Sequence, residues 1–337
     1  MAKVKRRRHL AGGVGPAGAN GSSHFPPSLL YVAAKMYYTD EATQAEVAEH
    51  LQTSRATISR LLYEARRRGI VRIEVIPTDS QAAHDLGSRV AAVFGLTAVY
   101  ISEPPPVPGR GETIEDVMGS TLAAAVSRAL LAVGLDVGDV MLVSSGRTIY
   151  EVARFELPKL PGVVVAPTVG GTDQPEAWYQ TNEITRLVAQ RIGGRPTFLF
   201  APALPGAELF QTLQTDPGIQ RVLQLWPHAR CVLTGVGAPP LLRSEAPQFV
   251  DMTSPHLIEA VGDVCSRFFN RAGEPVLFPG SERLIAVDME TLKSIPTVIA
   301  VAAGTDKVAT IIAAARAKLF NQLVTDPRTA EDILARA

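Results

Sequence analysis

At 337 residues the chain is longer than one core usually spans, which sets about two domains as the expectation, and 46% hydrophobic with 20% charged residues excludes a chain disordered throughout. The formal net charge is zero, yet residues 1–75 hold 12 Lys/Arg against 6 Asp/Glu and the remainder 21 against 27, so a basic module suited to a polyanion adjoins an acidic body. Cys231 and Cys265 have no CxxC spacing and no His companion, which gives no zinc site and predicts two buried, reduced thiols in a cytoplasmic setting; no apolar run approaches a membrane span, and the amino terminus lacks the apolar core of a signal peptide.

Residues 1–24 read as a disordered basic tail, with Lys3, Lys5 and Arg6 to Arg8 followed by Gly, Ala and Ser. A helix is predicted after Pro26-Pro27, with Leu30, Ala33, Ala34 and Tyr37 at helical spacing. Thr43-Gln-Ala-Glu46 has the form of a capping box and starts a second helix, buried through Val47, Ala48 and Leu51. Gln52-Thr53 leaves room only for a turn, and Thr53 or Ser54 caps a third helix whose apolar side is Ile58, Leu61 and Leu62. Arg55, Thr57, Ser59, Arg60 and Tyr63 lie largely off that side, and Arg66 and Arg67 prolong the basic surface before Gly69 stops the helix. Two short helices on a tight turn, the second with an arginine-rich polar face, are the pattern of a helix-turn-helix that enters a DNA major groove. Thr43, Gln44, Ser54, Arg55, Thr57, Ser59, Arg60, Tyr63, Arg66 and Arg67 are the DNA-contact candidates, and the alternating IVRIEV that follows is a plausible wing. The bland alternative is a solvated helical hairpin.

A second domain is predicted from residue 79, giving the division 1–24 tail, 25–78 DNA-binding domain and 79–337 effector and oligomerisation domain. Its short apolar runs AVYIS, VMLVSS, GVVVAPTV, TFLFAPA, CVLTGVG, RLIAVD, TVIAVAAG and NQLVTD alternate with helical patterns, including a long helix from about residue 113 to 133. Runs apolar on both faces and separated by helices indicate a mostly parallel sheet covered on both sides, in which ligands sit beyond the carboxyl ends of the strands. Three strand-ending loops follow from that. Ser144, Ser145, Gly146, Arg147 and Thr148 bring hydroxyls, backbone N–H groups and a helix start together for a phosphate, unless they only cap the turn. Gly170 and Gly171 permit close backbone approach. Lys307 follows Gly304 near a helix start, where a cation opposes the helix dipole unless an anion lies between them. Asp263 is a candidate acceptor for sugar hydroxyls or else a helix cap, and Gln180 and Asn182 are weaker polar candidates. The six histidines form no HxxxH or HExxH pair, and neither GxSxG nor a P-loop occurs, so no catalytic signature, cofactor or metal is expected.

Taken in order, TQAEVAEHLQTSRATISRLLYEARRRGIVRIEV, SSGRT, TGVG, GDVCSRFFNRAG and VIAVAAGTDKVATIIAAARAKLFNQLVTD resemble the SorC/DeoR family of sugar-binding transcriptional regulators of bacteria, over nearly all of the chain from residue 28. The resemblance implies an α/β chain with an amino-terminal winged helix-turn-helix and a carboxy-terminal parallel α/β effector domain similar to phosphosugar isomerases. It also implies a homodimer or homotetramer that binds double-stranded operator DNA under control of a sugar or sugar-phosphate effector. Carried over by position, Ser145 to Thr148 match the family's phosphate loop, Lys307 its basic residue and Asp263 its acidic one, while Gln180 and Asn182 fall in a segment of polar contacts. Against this regulator stand two other readings, a sugar-phosphate isomerase or deaminase and a DNA-organising protein without operator preference.

Overall fold

The computed structural model describes residues 25–71, 81–105, 114–240, 243, 249–251 and 254–337, so the basic tail, the wing beyond Val71 and most of the Pro-rich loop after Ser102 lie outside the described residues. The chain forms two compact units, residues 1–77 and 78–337.

In the first unit α1 (Pro27–Tyr38) starts with Pro at a position where its missing N–H costs nothing. α2 (Gln44–His50) opens on Thr43 with both halves of the capping box formed, and α3 (Arg55–Arg67) opens on Ser54, whose hydroxyl accepts from the Thr57 N–H at 3.1 Å. Between them Gln52 takes a positive φ of 49°, which reverses the chain within a few residues. Leu30, Ala33, Val47, Ile58, Leu61 and Leu62 pack into one small core. That core uses the apolar stripe of every helix, and so it leaves the polar side of α3 outward.

The second unit begins with α4 (Gln81–Phe94), β1 (Ala98–Ile101), α5 (Ile114–Val133), β2 (Val140–Val143) and α6 (Arg147–Ala153). It continues through β3 (Val164–Pro167), α7 (Thr181–Ile192), β4 (Arg195–Pro196), α8 (Ala207–Thr215), α9 (Pro217–Leu223) and β5 (Cys231–Gly235). It closes with the hairpin β6 (Gly262–Val264) and β7 (Arg267–Phe269), then α10 (Met289–Ser294), β8 (Thr297–Val301), α11 (Val308–Arg316), β9 (Gln322–Thr325) and α12 (Pro327–Arg336). Seven strands form one parallel sheet in the order β1-β9-β8-β5-β2-β3-β4.

The strict alternation of a strand sends neighbouring residues to opposite faces, and here both faces are buried. Leu142, Val232, Val298 and Ala300 join one core with α4, α9, α11 and α12; Met141, Val143, Leu233 and Ile299 join the other with α5, α6 and α7. Leu142 is fully enclosed, so Leu142→Ala is expected to lower the unfolding free energy by about 2–5 kcal/mol in a denaturant titration.

Two expected strands are not strands, for one physical reason. In TFLFAPA the Leu199 N–H donates to Asn182 Oδ1 at 3.0 Å and its carbonyl accepts from Asn182 Nδ2 at 3.1 Å, so a side chain replaces the ladder just after Pro196, which has no N–H to give. In RLIAVD the Arg267 guanidinium donates to the carbonyls of Leu284, Ala286 and Val287. The helix-cap alternative for Asp263 also fails: Cys265 and Ser266 take φ of 51° and 62° and turn GDVCSRFF into the β6–β7 hairpin.

Candidate functional site

Sequence order runs outward from β2 through β3 to β4 on one side and from β5 through β8 and β9 on the other. The crevice at the carboxyl ends of β2 and β5 is therefore the switch point of the sheet, where two loops diverge and leave a hollow. A cavity of about 300 Å³ lies there.

Its floor is built by β2 and β5 together. Ser144, the first residue past β2, accepts from the Gly235 N–H at 3.1 Å and donates to the Ser145 carbonyl at 3.0 Å. Gly146 has φ of 121°, a conformation that strains any side chain, and its N–H reaches the Trp178 carbonyl at 2.8 Å. Arg147 then begins α6, with its guanidinium carbon 5.2 Å from the centre of the Trp178 ring. Arg147 Nε and Trp178 Nε1 are both shut from solvent with no hydrogen-bond partner among the described residues. From the end of β8, Gly304 with φ of 116° leads into a 3-10 turn that places Lys307 Nζ 3.5 Å from Thr148 Oγ1.

The opposite wall is the hairpin. Asp263 accepts from the Ser266 N–H at 3.0 Å through one oxygen and from Arg243 through the other. The pair is mostly enclosed, with 13% and 15% of the two side chains exposed. Arg243 is held by a 2.7 Å bond to the Ala238 carbonyl and lies over the Phe268 ring at 5.9 Å. Gly237 makes room for this: a Cβ there would stand 2.1 Å from Asp263 Oδ1 and 2.2 Å from Arg243 Nη2. Arg147, Arg243 and Lys307 thus face Asp263 and Asp306 around one hollow, a net positive lining. Cys265 also borders it, but burial pushes its thiol up to about 11, and that of Cys231 to about 12, so neither is a nucleophile at neutral pH. Among the described residues no His/Cys/Asp/Glu group is arranged to hold a metal.

The cavity thus gathers Ser144, Ser145, Gly146, Arg147, Thr148, Asp263 and Lys307 of the sequence candidates. It does not gather Gly170, Gly171, Gln180 or Asn182. A Cβ on Gly170 would meet the Ala201 carbonyl at 2.6 Å, Gln180 donates to the Gln174 carbonyl, and Asn182 braces Leu199. Trp178, Arg243 and Gly237 were missed. Trp178 had a signal, an aromatic pair in the polar loop that also holds Gln180, whereas Arg243 reaches Asp263 from 20 residues away with nothing local to announce it.

On α3, Arg55, Ser59, Arg60 and Tyr63 are exposed, Tyr63 at 59%. Ser54 and Thr57 hold each other at 2.9 Å at the helix start, Thr43 is engaged with Glu46, and Gln44 is half-buried. Arg66 is exposed with Nε 3.4 Å from the Leu62 carbonyl, but Arg67 pairs with Glu64 at 2.8 Å, and Glu64 also lies 3.4 Å from Arg68. The hydrogen bond from Arg67 holds the Glu64 carboxyl below its ordinary 4.5, and the Thr43 N–H does the same for Glu46. A carboxyl depressed by folding stabilises above its ordinary value and ceases to as pH falls through the folded one. Hydrogen-exchange protection of α2 and α3 is therefore expected to drop as pH falls below 4.5. Glu64→Gln should shrink that step, and a step of unchanged size would remove Glu64 from its cause.

The Sugar-bind family model, described as "Putative sugar-binding domain", matches residues 69–335. The deoxyribonucleoside regulator of Bacillus subtilis is 30% identical over 317 residues, which cover 91% of this chain and 97% of the relative. The sorbitol operon regulator of Klebsiella pneumoniae is 28% identical over 318 residues, 91% of this chain and 97% of its own. The crystal structure of that full-length regulator, SorC, superposes with a TM-score of 0.67 over 91% of this chain and 98% of the other, at 28% identity.

Proposed function

This chain belongs to the SorC/DeoR family of sugar-binding transcriptional regulators, and on that premise we propose that it is a cytoplasmic bacterial repressor or activator whose operator affinity is set by a sugar phosphate held at the switch point of its parallel sheet. The relatives are regulators, and the isomerase or deaminase reading has no support among them. The observation that carries the effector assignment is the convergence of Arg147, Arg243 and Lys307 with the Ser145–Thr148 loop on one hollow. Backbone N–H groups, hydroxyls and cations suit a phosphate, and the Asp263 carboxylate suits sugar hydroxyls. Residues 25–78 are the DNA-binding domain in this reading, with α3 in the major groove and Arg55, Ser59, Arg60, Tyr63 and Arg66 its contact set. Residues 79–337 bind the effector and assemble the homodimer or homotetramer that pairs two half-sites.

Regulation is then linkage. An effector that prefers one of two oligomer arrangements shifts operator affinity by its differential binding free energy, and a coupling of about 1–3 kcal/mol alters it roughly 5- to 150-fold. Gel-shift binding to the DNA upstream of its own gene, with random DNA as competitor and a panel of sugar phosphates and free sugars, tests both halves. Specific binding altered by one phosphosugar is the expected result. Specific binding that no sugar alters would overturn the effector site, and no preference over random DNA would overturn the regulator reading for this chain.

A further inference from the structure

One residue occupies two anion-seeking groups of the Ser145–Thr148 loop at once. The Gly146 N–H donates to the Trp178 carbonyl at 2.8 Å, and the Arg147 guanidinium carbon lies 5.2 Å from the centre of the Trp178 ring. A carbonyl oxygen and the face of an indole are the parts of a tryptophan that carry partial negative charge. Trp178 therefore stands towards that loop as a weak anion would. It sits in the middle of a single 3-10 turn, Ala177–Tyr179, whose other bonds are local: the Tyr179 N–H donates to the Glu176 carbonyl at 3.0 Å and the Gln180 N–H to the Ala177 carbonyl at 3.1 Å. Those bonds travel with the turn when it moves, whereas the bond from Gly146 ties it to the phosphate loop. Asp173, Pro175 and Glu176, just before the turn, are exposed, so the segment has solvent on its outer side.

The hold is incomplete. Tyr150 steadies the indole edge-on, with ring centres 6.4 Å apart, but Arg147 Nε and Trp178 Nε1 are enclosed without a partner among the described residues. A buried donor left unpaired costs free energy, so the arrangement is favoured by its contacts and opposed by these two donors. What displaces it follows from charge. Hydrogen bonds to an ionised partner are roughly twice as strong as those between neutral groups, so a phosphate outcompetes the Trp178 carbonyl for Gly146 and the Trp178 ring for Arg147. A sugar hydroxyl is neutral. Exchanging the carbonyl for it gains nothing on Gly146 and forfeits the contact between guanidinium and ring.

We propose that Trp178 is a built-in competitor of the effector's phosphate: it holds Gly146 and Arg147 in the empty site, and the Ala177–Tyr179 turn moves only when a ligand brings an anion to displace it. The proposal rests on the effector site assigned above and deepens it by naming the residue through which that site tells a phosphorylated ligand from a free sugar. Inorganic phosphate added to the full chain tests it. The chain has two tryptophans, and Trp226 is enclosed with Nε1 donating to the Pro167 carbonyl at 2.9 Å, away from the residues that line the hollow. Phosphate is therefore expected to shift the wild-type tryptophan emission to longer wavelength as Trp178 swings out, and sodium chloride at equal ionic strength to leave it unchanged. By calorimetry, Trp178→Leu should bind phosphate about 2- to 30-fold more tightly than the wild type, the worth of the cation–π contact it removes. Trp178→Phe, which keeps a weaker ring face for Arg147, should fall between the two. The sign of the change is what matters, since loss of a residue that merely contacts the ligand or supports the fold weakens binding. Weaker or equal binding by a Trp178→Leu variant with the wild-type circular-dichroism spectrum would overturn the proposal and leave the effector site standing. So would phosphate that binds the wild type without altering its emission, the observation that decides should Trp178→Leu fail to fold. Phosphate bound by neither protein would overturn the effector site itself and this proposal with it.

Discussion

Arg60→Ala in the full chain is expected to weaken operator binding by about 5- to 150-fold, a loss of roughly 1–3 kcal/mol, and to relax sequence preference at the base pair it reads. Arg60 lies mid-helix on the exposed side of α3, while Ile58, Leu61 and Leu62 beneath it are buried and untouched by the change. The helix keeps its Ser54 cap at the other end, and alanine is the better helix former, so the variant should melt at or slightly above the wild-type temperature. A loss of binding with intact folding therefore reports the interface.

The informative comparison is Arg67→Ala, one residue type in the same helix. Arg67 already spends its guanidinium on Glu64 at 2.8 Å, so its charge is largely matched within the protein. Its removal should cost operator affinity less than Arg60→Ala does, and should cost stability more, because the largely enclosed Glu64 is left with Arg68 alone at 3.4 Å. Equal losses of affinity from the two variants, across specific and random DNA alike, would instead describe a uniformly basic surface contacting phosphates, with each arginine lowering the salt slope by about 1. That outcome favours the DNA-organising reading over an operator-specific one.

How much of this was legible in the sequence depends on how far apart the cooperating residues are. The capping box at Thr43 and Glu46, the Ser54 cap and the apolar stripe of α3 lie within one or two turns of each other, and short-range hydrogen bonding and periodicity suffice to read them. The parallel sheet was legible for a related reason: strands buried on both faces leave unbroken apolar runs such as VMLVSS and TVIAVAAG. TFLFAPA and RLIAVD carry the same apolar signature and are not strands, because Asn182 and Arg267 take their backbone groups, the former from 17 residues away. Side chains that substitute for a ladder leave no local trace. The cavity repeats the contrast. Ser144 to Thr148 are contiguous and followed from the strand-turn-helix pattern, whereas the Arg243–Asp263 pair and the Gly237 gap that admits it exist only once the hairpin is docked beside β5. Gly170 shows the converse, a glycine demanded by close packing on Ala201 where the sequence suggested a ligand.

Lys307→Ala should leave operator affinity unchanged without effector and abolish most of the effector's influence on it. A charge-assisted hydrogen bond is worth about 1.5–3 kcal/mol, so the affinity for a phosphosugar should fall roughly 10- to 150-fold. The reasoning rests on where the lysine stands. Lys307 precedes α11, whose amino-terminal end carries the positive pole of the helix dipole, an unfavourable place for a cation. It directs Nζ towards Thr148 at the beginning of α6, a second positive pole, with Arg147 one residue away. Two helix starts and two cations beside Asp306 favour the approach of a further anion, so in the proposed reading this corner takes the phosphate and not the sugar ring. The test separates the two by ligand as well as by residue. Calorimetric titration of wild type and Lys307→Ala with a phosphosugar and with its unphosphorylated parent should show the variant losing its preference for the phosphorylated form while binding the parent as weakly as the wild type does. A variant that loses both ligands equally would move Lys307 from the phosphate to the sugar, and one that loses neither would remove it from the site.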